Sequence, residues 1–229
     1  MREPRQLRDK PQGMSDLLPL TLDELLTTTR AVRKRLDLTR PVPRELIIEC
    51  LHIAMQAPSG SNRQAWQWVL VDDPAKKQAL ADLYGEVFDK YMAAPASAAY
   101  TDGDSRAERV TAIADSAHYL RQHFHEVPVL LVPYQEGRRD GTPSGEQAGF
   151  WGSIVPAVWS FMLALRARGL GSAWTTMTCR REVEVAELLG VDHTKFTQVG
   201  LFPIAYTLGT DFKPAPRVDP DSVIHWNSW

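Results

Sequence analysis

The chain has 229 residues, of which 44% are apolar, and its formal net charge is −2. This length suffices for one domain with a sizeable core, and the apolar content excludes a disordered chain. A nearly neutral charge gives no sign of the basic face that nucleic acids need, so no nucleic-acid partner is expected. The two cysteines, Cys50 and Cys179, lack metal-type spacing, so neither a zinc site nor a disulfide framework is predicted.

The N-terminal sequence carries no visible targeting signal. The first twenty residues mix charges with Pro11 and lack the apolar stretch of a signal peptide. No run of 18 apolar residues occurs, so we expect no membrane partner. These features predict a cytoplasmic protein, in which residues 1–20 form an exposed arm and residues 21–229 form a single domain.

The first predicted helix begins at a capping box, in which Thr21 and Glu24 satisfy each other's backbone N–H groups. A basic cluster follows over residues 29–35. Such a cluster is usually a solvated face, but arginine also presents a fork of donors that matches phosphate oxygens. A second helix is predicted from Pro41 to about Ala57.

A polar loop over residues 56–68 joins this helix to an apolar strand, predicted near 67–72. The loop is rich in small and hydrogen-bonding side chains. Pro58 fixes φ, and Gly60 lets the backbone approach a flat or anionic group. A capped turn that satisfies its own backbone explains the same composition.

Asp73 followed by Pro74 predicts the start of a third helix. Residues 92–106 are small and polar without a strong period, and we interpret them as a mobile excursion before a helix over about 106–124. The polar stretch 136–145 is predicted to be a loop. Further strands are predicted near 127–133, 170–176 and 202–208, and a helix from Thr178 or Cys179 to Gly190.

The longest apolar segment, residues 152–169, predicts a helix that is apolar nearly all round. Burial on more than one side follows, as in a dimer core. The side chains predicted to be buried there are Trp159, Met162, Leu163 and Leu165.

Several familiar site types are absent from the pattern. A Rossmann site needs GxGxxG at the start of a helix, whereas Gly169 and Gly171 follow a helix end. Ser59 and Ser153 lack the GxSxG setting of a hydrolase nucleophile. The acidic residues around Asp102 are too few for an EF-hand, and no metal site is predicted. Four strands separated by helices agree with either an open parallel α/β sheet or a mixed sheet.

Short motifs in order along residues 21–226 resemble the FMN-dependent nitroreductase family. Residues 57–66, APSGSNRQAW, are similar to the family's "(A/S)P(S/T)xxNxQPW", with Ala65 in place of proline. Residues 29–33, TRAVR, resemble "(T/R)RSVR". Residues 152–169 resemble "GSxxPAxQNLLLAARxLGLG", residues 171–174 match "GLG(S/T)xW", and residues 213–217 resemble "PxxKxR". Residues 221–226 resemble "EVVHW".

The resemblance implies an α+β fold: a mixed, mainly antiparallel sheet flanked by helices, in an intertwined homodimer whose subunits share the site. It implies FMN as cofactor, NADPH or NADH as reductant, and a small aromatic electron acceptor such as a nitroaromatic or quinone. The expected cycle is ping-pong. Residues 92–106 correspond to a cover over the substrate side of the flavin.

The resemblance also implies roles for individual residues. Basic side chains hold the phosphate, the 58–64 loop binds the pyrimidine edge, and the start of the long apolar helix lies over the ring. A backbone N–H after Thr175 lies on flavin N5, and Ala31 lacks the hydroxyl that the family's serine offers. The cofactor contacts implied are Arg30, Ala31, Arg33, Pro58, Ser59, Gly60, Ser61, Asn62, Gln64, Ser153, Ile154, Thr176, Met177, Lys213 and Arg217.

No catalytic side chain is implied, because the flavin carries the hard step. A second function class stays open at this point. A flavin-binding member of the family can instead dehalogenate a substrate, destroy flavin, or store or sense it.

Overall fold

The computed structural model describes residues 17–94 and 106–229. Most of the predicted arm, and most of the cover predicted at 92–106, therefore lie outside the described residues. The end of the arm is described: the Leu18 N–H donates to the Ala167 carbonyl oxygen at 2.7 Å. Residues 92 and 93 belong to the third helix rather than to an irregular excursion.

Six α-helices occur in the described residues, and three of them have an end fixed by a local signal in the sequence. The Thr21–Glu24 capping box starts the first helix, Asp73 caps the third, and left-handed Gly190 ends the sixth. The helices are α1 (Leu22–Thr28), α2 (Arg44–Ala54), α3 (Pro74–Ala93), α4 (Val110–His123), α5 (Ser144–Ala167) and α6 (Glu182–Leu189).

The described strands form one sheet in the order β1-β2-β5-β3, and β4 pairs with β2 in line with β5. All four strand pairings are antiparallel, which overturns the parallel α/β alternative. A single parallel bridge, Ala31 to Ser172, makes the sheet mixed. The strands are β1 (Trp66–Val71), β2 (Val129–Glu136), β3 (Leu170–Ser172), β4 (Phe196–Gln198) and β5 (Phe202–Tyr206).

Helices cover both faces of this sheet. Alternate residues of β2 point to opposite faces, as the pleat requires. Val129 and Leu131 join the core formed with α2 and α5. Leu130 and Val132 join the second core, formed with α3, α4 and α6. The predicted α+β class, a mainly antiparallel sheet flanked by helices, is confirmed.

Several boundaries differ from the sequence prediction, and one strand was not predicted. Helix α5 begins at Ser144, eight residues before 152, because Phe150 on this first part packs into the protein at 7% exposure. Strand β3 ends at Ser172, since Thr175 pairs only with Leu201 before a 3-10 helix starts at Met177. Strand β5 ends at Tyr206. Strand β4 was not predicted, because three residues are too few to show a period.

One side of α5 is more exposed than predicted. Met162 and Leu165 are buried, but Trp159 is 38% exposed and Leu163 is half-buried. Trp159 lies on a stripe of apolar residues spaced four apart, namely Trp151, Val155, Trp159 and Leu163. A stripe of this spacing occupies one helix face, so the outer face of α5 is apolar and uncovered in a single chain.

Length and composition alone would let α5 cross a membrane, with a mean hydropathy of 1.5. Core helices pass the same test, and half of that window is buried inside the protein.

Candidate functional site

The loop before β1 has an unusual backbone. Its centre is a 3-10 turn, Gly60–Asn62. Ser61, Asn62 and Gln64 have φ values of 51°, 53° and 48°, in the left-handed region that non-glycine residues seldom enter. Each such residue costs on the order of 1–3 kcal/mol and persists only where its surroundings hold it, a pattern that clusters at ligand sites.

Ser153 on α5 holds this loop. Its Oγ accepts a hydrogen bond from the Gly60 N–H at 3.0 Å and donates to the Gly149 carbonyl at 2.8 Å. Its carbonyl accepts from the Trp66 indole N–H at 2.8 Å. A Cβ on Gly60 would lie 3.1 Å from the same Oγ, so the close approach favours glycine. One buried serine thus ties the loop, the start of β1 and α5 together.

The loop's own polar groups fold back on it. The Gln64 N–H donates to Ser59 Oγ at 3.1 Å, and the Gln64 amide donates to Asn62 Oδ1 at 2.9 Å. One side of the loop opens to a cavity of about 250 Å³. The lining residues include Ser59, Gly60, Ser61, Gln64, Phe150 and Ser153. The side chain of Ile154, by contrast, is fully buried in the core, whereas Ser153 borders the cavity.

A second group of predicted residues assembles around Arg30. Its Nη1 donates to the Lys213 carbonyl oxygen at 3.0 Å. Burial lowers the pKa of Arg30, and the positive charges of Arg109 and Arg217 lower it further. In residues 17–94 and 106–229, no carboxylate forms an ion pair with Arg30, Arg109 or Arg217. Uncompensated cations repel one another, so this arginine group favours an anion.

Arg33 is half-buried beside Tyr84, and burial lowers the pKa of its guanidinium. Its guanidinium has no hydrogen bond or ion pair to any residue that the structure describes, and its carbonyl oxygen accepts from the Leu36 N–H at 3.1 Å. Ala31 is bridged through its backbone to Ser172 of β3, which places the 30–33 segment at that edge of the sheet.

Thr176 is exposed and Met177 is half-buried, where β3 gives way to the 3-10 helix. The preceding residue, Thr175, is fixed by hydrogen bonds from its N–H and its Oγ1 to the Leu201 carbonyl, at 3.2 and 2.6 Å. Among the described groups, neither the Thr176 N–H nor the Met177 N–H has a protein acceptor. Both amides are therefore free to donate to a ligand.

The structure thus gathers most of the predicted residues in two places, whereas Ile154 lies in the core and Thr176 and Met177 lie at the start of the 3-10 helix. One is the loop group, made of residues 59–64 and Ser153 of α5. The other is the arginine group, made of Arg30, Arg109 and Arg217. Arg166, thirteen residues after Ser153 on α5, contacts the two chain segments that carry the arginine group. With a rise of 1.5 Å per residue, these points lie about 20 Å apart along the helix.

Sequence reasoning missed two arginines. Arg109 lies at the start of α4, and its basic character alone is common on surfaces. Arg166 is only 4% exposed. Two signals were available for Arg166: it is a charged residue within the most apolar helix, and it aligns with the arginine of "GSxxPAxQNLLLAARxLGLG".

No metal centre is present in the described part of the chain, where no three His, Cys, Asp or Glu side chains cluster. The groups around Arg30 are guanidinium and ammonium, and the loop cavity offers hydroxyls, amides and arginines beside the carboxylates of Glu136 and Glu146. Such donors suit an anionic organic ligand rather than a cation.

Comparison with known proteins identifies the family. The sequence model of the nitroreductase family matches residues 26–206. The chain therefore belongs to the nitroreductase family, and the resemblance found in its motifs is confirmed.

Two curated relatives and one solved structure show the breadth of that family. The chain is 29% identical to 5,6-dimethylbenzimidazole synthase of Rhodospirillum rubrum over 72% of this chain and 73% of that protein. It is 25% identical to iodotyrosine deiodinase 1 of Rattus norvegicus, over 80% of this chain and 61% of the deiodinase. A variant of the FMN and NADPH-dependent nitroreductase NfnB from sphigopyxis sp. strain HMH superimposes with a TM-score of 0.67. It is 26% identical, over 92% of this chain and 100% of that one.

Proposed function

We propose that this protein binds FMN and acts as an NAD(P)H-dependent oxidoreductase that reduces small, electron-poor aromatic acceptors such as nitroaromatics and quinones. The observation that carries the proposal is the 3.0 Å contact of Arg30 with the Lys213 backbone, at a place where the charges of Arg109 and Arg217 also act on Arg30. In the described residues none of these arginines has an ion pair with a carboxylate. The phosphate of FMN is the anion that best explains such a group in a nitroreductase-family chain.

The donor sets fit the two ends of that cofactor. Arg30 and Arg217, which come from distant parts of the sequence, would hold the phosphate by charge-assisted hydrogen bonds. The loop group, anchored by Ser153, would hold the pyrimidine edge through the amides and hydroxyls of residues 59–64. When bound, FMN supplies hydride transfer between the nicotinamide and the acceptor.

The free N–H groups of Thr176 and Met177 would donate to the ring nitrogen where the hydride is exchanged. A backbone donor is preorganised because Thr175 is locked to Leu201 at 2.6 Å. Donors fixed in advance stabilise charge without reorganising during the reaction. No side chain acting as acid or base is required by this arrangement.

A homodimer is part of the proposal. The loop group and the arginine group are about 20 Å apart along α5 in one chain. A two-fold axis would set the loop group of one protomer against the arginine group of its partner, giving two equal sites. The apolar stripe Trp151–Val155–Trp159–Leu163 on the outer face of α5 supplies the surface for such an interface.

NADPH is the reductant named for the solved nitroreductase at 26% identity, and it is our first choice here. The test is an anaerobic titration of the purified protein. We expect it to carry a yellow flavin that heat releases as FMN, that NADPH bleaches, and whose colour returns on adding a nitroaromatic or quinone. A colourless protein that takes up no added FMN would overturn the proposal.

A second candidate function rests on the curated relatives, a dimethylbenzimidazole synthase and an iodotyrosine deiodinase. In that case the chain binds flavin for dehalogenation, for destruction of flavin, or for storage or sensing. The same titration, repeated in air and again anaerobically with an iodinated aromatic as acceptor, separates these roles. Loss of the chromophore in oxygen, without its return, indicates flavin destruction. A yellow protein that no nicotinamide bleaches indicates storage or sensing, and release of halide from an iodinated aromatic indicates dehalogenation.

A further inference from the structure

Arg166 is a buried cation without a counter-ion. It is 4% exposed, and no carboxylate in the described residues pairs with it. Its Nε and Nη1 have no hydrogen-bond partner among the described residues, and burial, followed by the charge of Arg35, lowers its pKa. Burying an unpaired charge is among the most costly arrangements in a protein. A group kept at such a cost calls for a role beyond packing.

The contacts of Arg166 join two segments that are far apart in sequence. Its Nη2 donates to Thr28 Oγ1 at 3.2 Å and to the Thr210 carbonyl oxygen at 3.0 Å. Thr28 ends α1, two residues before Arg30. Thr210 lies three residues before Lys213, whose carbonyl accepts the hydrogen bond from Arg30. Arg166 therefore contacts both chain segments that meet in the arginine group.

The ring of Phe212 packs against Arg166 at the place where these two segments meet. The guanidinium carbon of Arg166 lies 4.9 Å from the centre of the Phe212 ring, and that of Arg35 lies 4.3 Å from it. Arg35 also donates to the Leu208 carbonyl at 2.8 Å and pairs with Asp211. Cation–π contacts of this kind offset part of the cost of burying a guanidinium.

We propose that Arg166 is the positioning residue of the phosphate site: by holding Thr28 and Thr210 together from α5, it sets Arg30 against Lys213 and Arg217. It does not itself touch the phosphate. This inference rests on the proposed FMN function for its ligand. The contacts of Arg166 with Thr28 and Thr210 are a property of the protein alone.

The chain offers a matched control in Arg168. This residue lies on the same end of α5 and is 7% exposed, but its partners are Glu49 and the Ala164 carbonyl, at 2.7 and 3.0 Å. Arg166→Met and Arg168→Met therefore remove the same kind of buried group. Only the first removes contacts to Thr28 and Thr210. Arg166→Lys keeps the charge but loses the planar fork.

The first measurement is hydrogen exchange on the flavin-free, full-length protein. In Arg166→Met we expect faster exchange in residues 28–36 and 208–213 together, and in Arg168→Met no change in those segments. The amides to follow are those of Leu208 and Phe212, which donate to Arg35 and Thr210 carbonyls. Unchanged exchange in both segments would overturn the inference, whether or not the protein binds a flavin.

The second measurement is the ratio of FMN to riboflavin affinity. Loss of aligned phosphate contacts in Arg166→Met and Arg166→Lys should weaken FMN about tenfold more than riboflavin. Arg168→Met should leave the ratio unchanged. In the double variant with Arg217→Ala, Arg166→Met should lower FMN affinity little further, because both substitutions remove the same contacts to the phosphate. If the effects of Arg166→Met and Arg217→Ala on FMN affinity add fully, or if Arg166→Lys keeps the wild-type ratio, a positioning role is contradicted.

A wild-type protein that binds neither flavin refutes the proposed function. In that case the hydrogen-exchange result alone tests the role of Arg166.

Discussion

The Nη1 of Arg30 donates to the carbonyl oxygen of Lys213 at 3.0 Å, across 183 positions of the chain. This contact joins two sequence stretches, 29–33 and 213–217, that the motif resemblance independently assigned to one phosphate. The bond engages the backbone of Lys213. The ammonium of Lys213 therefore stays available to an anion. The Arg217 guanidinium donates from Nη1 to the Pro216 carbonyl oxygen at 3.1 Å and keeps further N–H donors for an anion.

Arg30→Ala and Arg217→Ala should each weaken FMN binding by about 10–150-fold. This corresponds to roughly 1.5–3 kcal/mol for each charge-assisted contact. Binding of riboflavin, which lacks the phosphate, should change little. The measurement is a fluorescence titration of the apoprotein with each flavin. Arg33→Ala should show the same FMN-specific loss, because Arg33 is half-buried and has no anionic partner in the described residues.

Arg44→Ala is the control for these three variants. Arg44 is exposed and paired with Asp72 on the surface, so its removal should stay within about 0.5 kcal/mol. Equal losses of FMN and riboflavin in Arg30→Ala or Arg217→Ala would mean that these arginines do not bind a phosphate.

The sequence predicted the fold well where local signals are strong. The Thr21 capping box, the Asp73–Pro74 start and the Gly190 stop each fix a helix end with a few neighbouring residues. The direction of strand pairing could not be read from the residues, because antiparallel and parallel strands of this length share the same apolar pattern. Only the family resemblance favoured the correct sheet.

The candidate site divides in the same way. Arg30, Arg217 and the 58–64 loop were predictable because motifs mark them. Arg109 was not, since no motif covers it. Arg166 aligns with the arginine of "GSxxPAxQNLLLAARxLGLG", but the motif does not reveal that its side chain meets Thr28 and Thr210. Trp159 was assigned to the core from its apolar neighbours, yet it lies on the outer face of α5. A helix that is apolar all round does not reveal which face meets its own sheet.

Ser153→Ala should loosen the loop group without touching the arginine group. The change removes the acceptor of the Gly60 N–H and the donor to the Gly149 carbonyl, two partly buried hydrogen bonds that contribute about 0.5–1.5 kcal/mol each. We expect FMN and riboflavin to be weakened equally, since both carry the ring that the loop would hold. Ser160→Ala, on the same helix, is the control. An FMN-specific loss in Ser153→Ala would place the loop at the phosphate instead.

The two cysteines should be unreactive in the folded protein. Burial raises the pKa of Cys50 and of Cys179 to about 12. At pH 8 almost no thiolate is present, and the thiolate is the reactive form. Iodoacetamide should modify neither residue in native protein and both in denaturant. Rapid labelling of Cys179 in the native state would show that the 3-10 helix at 177–181 opens readily.

The same shifts predict how stability depends on alkaline pH. A thiol whose folded pKa is raised binds its proton more tightly in the folded state. The stability that each buried thiol contributes to the folded state is therefore complete below about pH 9, the ordinary pKa of a thiol. This stability is lost as the pH rises towards 12, the pKa in the folded protein. Thermal unfolding should move to lower temperature over that range. Replacing both thiols, as Cys50→Ala with Cys179→Ser, should reduce the slope; an unchanged slope would assign it to other groups.

Trp159→Glu should separate the protein into monomers and remove flavin binding at the same time. Trp159 is 38% exposed at the centre of the apolar stripe on α5, and a carboxylate there would be desolvated by a partner without a matching cation. Val183→Glu is the control, because Val183 is similarly exposed at 39% but lies on α6, on the opposite face of the sheet. Sedimentation at micromolar concentration should give a dimer for the wild type and for Val183→Glu.

The Trp159→Glu monomer should remain folded by circular dichroism, since the Trp159 side chain is not part of the core. Its loss of FMN follows from the separation of the loop and arginine groups along α5, because neither group alone encloses the cofactor. A folded Trp159→Glu monomer that binds FMN with wild-type affinity would show that a single chain completes the site.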